Sequence, residues 1–307
     1  MLNYNEFIYA VEKDICSCLN TGEPLSASVK DVIKNNSVVL KGLTIKTESE
    51  NVAPTIYLEQ FFEEYCHSGD YNSTLMSIAQ TYRNSQVGDI PGFTADSLRP
   101  EDVYGELINT ERNKELLKDV PSIPLFDGRF SVVFRYALDF LDSKGSVLIT
   151  DSIAESKGLN AEKLMELALR NKGAYSKASL QPMEDILSAL CGTEMPMLGG
   201  SGCKSPMYVL SNESNHYGAF AILRPETQKA LQETFDGDIV VIPSSIHELI
   251  LMSAETAQNG LADTLNEIIT SVNTEVVQEQ DILDNSYFVL SLTDEGYKFK
   301  EGVQTVA

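Results

Sequence analysis

Apolar residues recur at helical spacing over the first 19 residues of the chain. Asn3 precedes this run and Glu6 follows three positions later, a pattern typical of a helix that begins with a capping box. The sequence therefore predicts an amphipathic first helix. Its apolar positions are Tyr4, Phe7, Ile8, Val11, Ile15, Cys18 and Leu19.

Strand-like segments follow the first helix. SASVKDVI and SVVLKGLTIKT, separated by KNN, predict two strands around a turn, and PTIYL predicts a third. EQFFEEYC and the segment around Leu75 and Tyr82 return to helical spacing. We therefore expect residues 1–85 to form an amino-terminal module with the order α-β-β-β-α-α.

Residues 86–128 are interpreted as a connector that contains one helix. Glycines and prolines interrupt every helical or strand period up to Pro100, so no helix or strand is expected to continue across them. Pro100, Glu101 and Asp102 are typical of a helix start, and EDVYGELINTERNKELLKDV can continue that helix to Val120.

The carboxyl-terminal module is expected over residues 129–307. Strands and helices mix there in hairpin order instead of strict β-α alternation, which favours α+β with mixed or antiparallel sheets and packed helices over a doubly wound sheet. One predicted hairpin joins MYVLS to YGAFAIL around NESNH, and Asn160 is the expected cap of a helix. The other expected strands are RFSVVFRYAL, GSVLITDSI, IVVIP, IHELILM and YFVLSL.

The charge balance excludes some partners. With 45 acidic and 23 basic residues the net charge is −22, so direct nucleic-acid binding and attraction to anionic membranes are not expected. The acidic surface indicates a basic protein partner, or imitation of a nucleic acid, or simply good solubility.

The five cysteines form no C-x-x-C pair, so zinc spacing is absent and reduced thiols in a cytoplasm are expected. The amino-terminus lacks the basic start and apolar run of a signal peptide. No uninterrupted stretch approaches the roughly 20 apolar residues of a membrane helix. We therefore expect a cytoplasmic protein, with no cofactor and no metal; the oligomeric state is left open.

Ser244, Ser245, His247 and Glu248 are the candidate site residues, because they concentrate polar groups between two apolar runs. They could supply a nucleophile with acid and base groups in a hydrolase-like enzyme. Neighbouring residues of a strand point to opposite faces, so Glu248 is poorly placed to orient His247. A buried turn with a hydrogen-bonded histidine is the alternative interpretation.

Two other motifs are incomplete. In LGGSGCKSP, Cys203 stands where a phosphate-binding loop needs the glycine before Lys204, and strand-like residues follow where a helix is required. In HELIL, Leu251 replaces the second histidine of the zinc-protease motif.

Five segments of the chain, taken together, carry a resemblance to a known family: KNNSVVLKGLTI, PTIYLEQFFEEY, LINTERNKELLKDVP, MYVLSN and VIPSSIHELIL. They resemble an uncharacterised bacterial family, a domain of unknown function whose carboxyl-terminal motif is similar to LPSSIHE followed by an apolar run. The resemblance spans about Tyr4 to Leu292 and implies a cytosolic bacterial protein with no assigned activity, cofactor or functional residue.

The sequence therefore leaves the function unknown, and a protein without enzymatic activity is expected more than an enzyme. The favoured hypothesis is a cytosolic binding or interaction protein with an acidic surface. The alternatives are a hydrolase-like small-molecule enzyme that uses the Ser244 to Glu248 stretch, and a nucleic-acid mimic.

Overall fold

The chain folds into two compact units in the computed structural model. The structure describes residues 1–19, 24–47, 53–85, 98–140, 143–191, 207–257 and 262–300. The first unit comprises residues 1–34, 38–98 and 138–145, and the second comprises residues 35–37, 99–137 and 146–307. The module boundaries expected at residues 85 and 128 stay predictions.

The first unit contains the predicted order of elements. A three-stranded antiparallel sheet has the order β1-β2-β3, and the helices and strands of residues 4–85 follow one another as α-β-β-β-α-α. The elements are α1 (Tyr4–Cys18), β1 (Ser26–Ile33), β2 (Val39–Lys46), β3 (Thr55–Tyr57), α2 (Glu59–Ser68) and α3 (Tyr71–Ser85).

The core of the first unit lies between its helices and its sheet. Phe7, Val11 and Ile15 of α1 are fully buried, as the helical spacing requires. The Phe7 ring stacks on Tyr65 of α2 with 5.4 Å between ring centroids, and Leu43 of β2 belongs to the same apolar cluster. The amphipathic pattern of α1 thus positions the first core.

A capping box starts α1. The Asn3 side chain accepts a hydrogen bond from the Glu6 amide at 3.0 Å, and the Glu6 carboxylate accepts one from the Asn3 amide at 2.9 Å. We expect Asn3→Ala to destabilise α1 by about 1 kcal/mol, because the Glu6 amide loses its side-chain acceptor. Hydrogen exchange of the first-turn amides should therefore become about fivefold faster. Ser17→Ala, in the last turn, serves as the control, and equal exchange in Asn3→Ala and the native chain would contradict the prediction.

The elements after residue 98 build two further sheets. One has six antiparallel strands in the order β13-β12-β10-β11-β9-β8, and the other has the order β4-β6-β5 with β7 paired to β6. The α+β prediction is confirmed. The strands are β4 (Val103–Asn109), β5 (Ile123–Leu125), β6 (Phe130–Phe140), β7 (Ser143–Leu148), β8 (Ala178–Pro182), β9 (Met207–Asn212), β10 (Ile239–Ile242), β11 (Leu249–Ser253), β12 (Phe288–Thr293) and β13 (Gly296–Phe299).

Helices cover these sheets. The Asn160 side chain accepts a hydrogen bond from the Lys163 amide, which confirms the predicted cap of α5. None of the helices in the described ranges has both the length and the apolar character that a bilayer crossing requires. The helices are α4 (Asp151–Ser156), α5 (Ala161–Arg170), α6 (Met183–Cys191), α7 (Pro225–Thr234), α8 (Ala254–Ala257) and α9 (Ala262–Glu275).

The helix predicted from Glu101 to Val120 is wrong. Pro100–Asp102 forms a single 3-10 turn, and strand β4 follows it with all seven residues buried. Residues 103–109 pair with residues 130–136 of β6, so a partner distant in sequence outweighs the local helix signals. A Cβ atom at Gly105 would lie 2.4 Å from the Phe220 ring, so this position in β4 requires glycine.

The hairpin predicted between MYVLS and YGAFAIL is also wrong in its second strand. Residues Gly218–Leu223 form a buried 3-10 helix. Tyr217 precedes it with φ at 56°, a left-handed conformation that ends the extended chain. Strands β5, β8 and β13 were not predicted, since each is only three to five residues long.

Candidate functional site

The SSIHE segment forms the connection between β10 and β11. Pro243 follows β10 and has no amide hydrogen to continue the ladder. The Ser245 amide donates to the Glu248 carbonyl at 3.2 Å and closes the turn. His247 therefore lies before β11 instead of within it, so its side chain is not placed by strand alternation.

Both ring nitrogens of His247 have partners. Nδ1 accepts a hydrogen bond from the Tyr217 amide at 3.1 Å, and Nε2 lies 3.4 Å from Asp281 Oδ1. Because Nδ1 acts as the acceptor, the neutral ring carries its proton on Nε2, facing the Asp281 carboxylate. The imidazole thus links the turn to two other segments of the second unit.

The main chain around His247 is also held. Its amide donates to Ser245 Oγ at 3.1 Å, and its carbonyl accepts from Ser211 Oγ at 2.8 Å. The Ile246 amide donates to the Asp281 carbonyl at 2.8 Å. The structure therefore brings Ser245 and His247 together through the main chain, with Asp281 holding the turn at two points.

Ser244 and Glu248 are both half-buried. In the part of the chain that the structure describes, neither side chain has a hydrogen bond to the His247 ring. A serine nucleophile needs its Oγ within about 3 Å of the nitrogen of the base. As it stands, the arrangement fixes a turn, and the catalytic roles considered for these four residues stay predictions.

Aromatic rings surround His247. The Tyr217 ring centroid lies 5.6 Å from that of His247, and the exposed His216 ring approaches His247 edge-on at 5.5 Å. The guanidinium carbon of Arg135 lies 4.7 Å from the centroid of the Tyr217 ring, within the range of a cation–π contact. His247 is therefore connected through Tyr217 to a buried cation.

That cation belongs to a buried ion pair. Arg135 Nε donates to Glu106 Oε2 at 2.5 Å, and the two side chains are only 16% and 3% exposed. Burial disfavours the charged form of Arg135, but the Glu106 carboxylate together with the Tyr217 and Tyr104 side chains outweighs burial, so the pKa of Arg135 is raised. Burial also raises the pKa of Tyr217 and, more strongly, that of Tyr104. At neutral pH Arg135 is therefore protonated and positively charged.

Sequence reasoning did not nominate Glu106, Arg135 or Asp281. For the first two a signal existed, since Glu106 stands among apolar residues in VYGELI and Arg135 in SVVFRYAL, and buried charges are rarely found without a partner. For Asp281 no local signal existed, because its contact with His247 arises only when distant segments fold together.

The donor set for a metal ion is poor. Among the described residues, no group of three or more His, Cys, Asp and Glu side chains could hold an ion. The LGGSGCKSP segment with Lys204 lies outside the described residues, so the interpretation of this segment as an incomplete phosphate-binding loop stays a prediction.

A long acidic segment is the second candidate feature. Residues 230–297 contain 13 aspartates and glutamates and no lysine or arginine. The carboxylates are spread over 68 residues, which is why no block of like charges is visible. This gap in basic residues is a signal that the sequence analysis missed.

Helix α9 lies within that acidic segment and exposes aliphatic side chains. Ile268 and Val272 are 46% and 44% exposed, and Val276, just after the helix, is 76% exposed. These residues are spaced by four, so they lie along one side of the helix. We call these three residues the α9 stripe. Glu267 and Glu275 are exposed beside it.

No lysine or arginine in the described ranges pairs with Glu267 or Glu275. Ser271 Oγ donates to the Glu275 carboxylate at 3.2 Å, so that carboxylate has only a neutral partner. The α9 stripe is thus an apolar surface flanked by negative charge.

Comparison with known proteins gives a family and no activity. Neither the curated proteins nor the solved structures contain a match to this chain. A family model described as a family of unknown function, DUF5688, matches residues 4–291. Since this match covers far more than half of the 307 residues, the chain belongs to the DUF5688 family of unknown function.

Proposed function

We propose that the protein is a non-enzymatic binding protein that uses its acidic carboxyl-terminal segment to hold a basic protein partner. The observation that carries this proposal is the α9 stripe, an exposed apolar surface inside a 68-residue segment without lysine or arginine. An apolar surface with a charged border is typical of protein interaction sites.

Charge determines the kind of partner that fits. A partner with lysines and arginines around an apolar face would pair with Glu267 and Glu275 and cover the α9 stripe. A second copy of this chain would place carboxylates against carboxylates, which is unfavourable. The net charge of −22 would also speed the encounter with a basic protein at low salt.

The geometry at His247 supports a binding role over the hydrolase-like alternative. Its ring nitrogens face the Tyr217 amide and Asp281, so neither is directed at a serine hydroxyl. A nucleic-acid mimic would need carboxylates in a regular row, whereas aliphatic side chains occupy successive turns along α9. A protein partner is therefore favoured over mimicry.

The proposal includes a cytoplasmic location. Cys16, Cys18 and Cys66 are free thiols, and free thiols are usual in a reducing compartment. A membrane partner is not part of the proposal, because an acidic surface is repelled by anionic lipids.

The test is capture of the partner by chains that differ only at the α9 stripe. The tagged protein is purified at 50 mM salt from cells that make it, and retained proteins are quantified by mass spectrometry. We expect the native chain to retain one basic protein at fixed stoichiometry. The retained amount should fall at least tenfold in the double variant Ile268→Asn/Val272→Asn. It should also fall for the native chain when the salt is raised to 300 mM.

Met76→Asn is the matched control, because Met76 is 54% exposed on the other unit. Glu63→Lys on α2 controls for charge reversal outside the acidic segment, against Glu267→Lys beside the stripe. Retention of no protein at 50 mM salt would overturn the proposal. Equal retention by the stripe variant and by Met76→Asn would overturn it as well.

A further inference from the structure

A cavity of about 360 Å³ lies in the second unit, and neither His247 nor any residue of α9 lines it. This volume is within the range of small-molecule sites, which is roughly 300–1,000 Å³. Its apolar wall is formed by Phe126, Ile222, Leu223, Leu290 and Phe299. Leu290 and Ile222 are buried, so the cavity reaches down to the core.

The turn at the mouth of this cavity holds an unfavourable conformation. Between β5 and β6 the Gly128 amide donates to the Leu125 carbonyl at 3.1 Å. Both residues between them are left-handed, Phe126 with φ at 52° and Asp127 with φ at 55°. Asn-Gly is the usual pair in such a turn, and the left-handed conformation is unfavourable for phenylalanine.

Ring packing offsets this strain. The centroid of the Phe126 ring lies 5.2 Å from that of Phe299, 5.5 Å from that of Phe288 and 5.9 Å from that of Phe130. As a result the turn presents an aromatic wall and, next to it, the Asp127 carboxylate. Strained residues held in this way concentrate at ligand sites.

The polar groups around the cavity are already engaged, with one exception. The side-chain oxygen of Gln228 accepts a hydrogen bond from the main-chain amide of Tyr297 at 3.0 Å, and its side-chain nitrogen donates to the Ile222 carbonyl at 3.3 Å. The Lys298 ammonium pairs with the Glu295 carboxylate.

The exception is Asp127. It is exposed and lines the cavity, and its carboxylate has no cation partner among the residues that the structure describes. The polar contact left for a ligand is therefore a negative charge beside an aromatic wall.

We propose that this cavity binds a small organic amine in its protonated form. The apolar body of the amine would lie against Phe126 and Phe299, and the ammonium group would pair with Asp127. This inference does not depend on the proposed protein partner, since α9 and this cavity share no lining residue.

The test uses three probes with the same phenylethyl body and different charge: 2-phenylethylamine, 2-phenylethanol and 3-phenylpropanoate. Each is titrated into the full-length, isotope-labelled chain, and the amide signals of Asp127, Gly128 and Gln228 are followed by NMR. We expect the amine to bind about threefold to fivefold more tightly than the alcohol, the range expected of one partly exposed ion pair. We expect the carboxylate to bind most weakly.

Asp127→Asn removes the charge and keeps a residue that tolerates the left-handed conformation. In this variant the amine and the alcohol should bind equally. Glu155→Gln, on α4, is the charge-matched control and should retain the preference for the amine. Leu223→Phe, which narrows the cavity, should weaken binding of the amine and the alcohol alike.

Three results would overturn the inference. They are equal affinity of the amine and the alcohol for the native chain, an unchanged preference in Asp127→Asn, and signal changes confined to amides outside the cavity.

Discussion

Replacing Arg135 by methionine is expected to lower the free energy of unfolding by about 3–5 kcal/mol, because the Glu106 carboxylate would remain buried without its partner. Glu106 is 3% exposed and its carboxylate lies 2.5 Å from Arg135 Nε, so water cannot replace the guanidinium. The contact of Arg135 with the Tyr217 ring would also be lost. Urea unfolding followed by far-ultraviolet circular dichroism measures the change.

The double variant Arg135→Met/Glu106→Leu separates the ion pair from its surroundings. Replacing both charges by apolar side chains should restore most of the lost stability, since a buried pair often contributes little beyond compensating its own burial. Lys118→Met is the matched control, because Lys118 and Glu115 form an exposed pair at 2.6 Å and its loss should cost less than about 1 kcal/mol. If Arg135→Met cost no more than Lys118→Met, the burial argument would be wrong.

Gly218→Ala is expected to lower the free energy of unfolding by about 1–3 kcal/mol. A Cβ atom there would lie 2.3 Å from Ser211 Oγ, 2.4 Å from the His247 carbonyl oxygen and 2.8 Å from the Asn212 amide nitrogen. Two of these three atoms belong to the main chain, so a side-chain rotation cannot relieve the contact. The added methyl group would therefore displace the SSIHE turn.

Gly237→Ala is the control, since a Cβ atom at Gly237 would meet no heavy atom within 4 Å. Urea unfolding compares the two alanine variants, and NMR shifts of the His247 ring report whether the turn moves. Similar stability of both variants would contradict the prediction, and an unchanged His247 spectrum in Gly218→Ala would contradict the proposed displacement.

The sequence predicts those parts of the fold that local contacts determine. The cap at Asn3 is three residues from its partner, and the helical period of Phe7, Val11 and Ile15 needs no information from the rest of the chain. The sequence does not predict strand β4 for the opposite reason. Its pairing with residues 130–136 is set by distant residues, and both of its faces are buried. A strand that is buried on both faces shows no alternation.

The candidate site was predictable only in part. The concentration of polar residues near His247 could be identified from the sequence, and so could the acidity of the chain. Strand β11 and helices α8 and α9 lie between His247 and Asp281 in the sequence, so no spacing rule predicts that these two residues pair. The cavity beside Asp127 depends on a phenylalanine in a left-handed turn, a conformation that the residue type itself argues against.

The six-stranded sheet ends in β8 on one side and β13 on the other. An open edge can recruit another strand and begin aggregation. β8 ends in Pro182, which cannot donate to a further ladder, while Lys298 lies on β13 and Lys300 just beyond it. These two residues are the only lysines or arginines after position 229. The positive charge that follows the acidic segment thus stands at the edge strand, where it discourages strand addition, while the α9 stripe stays available to a partner.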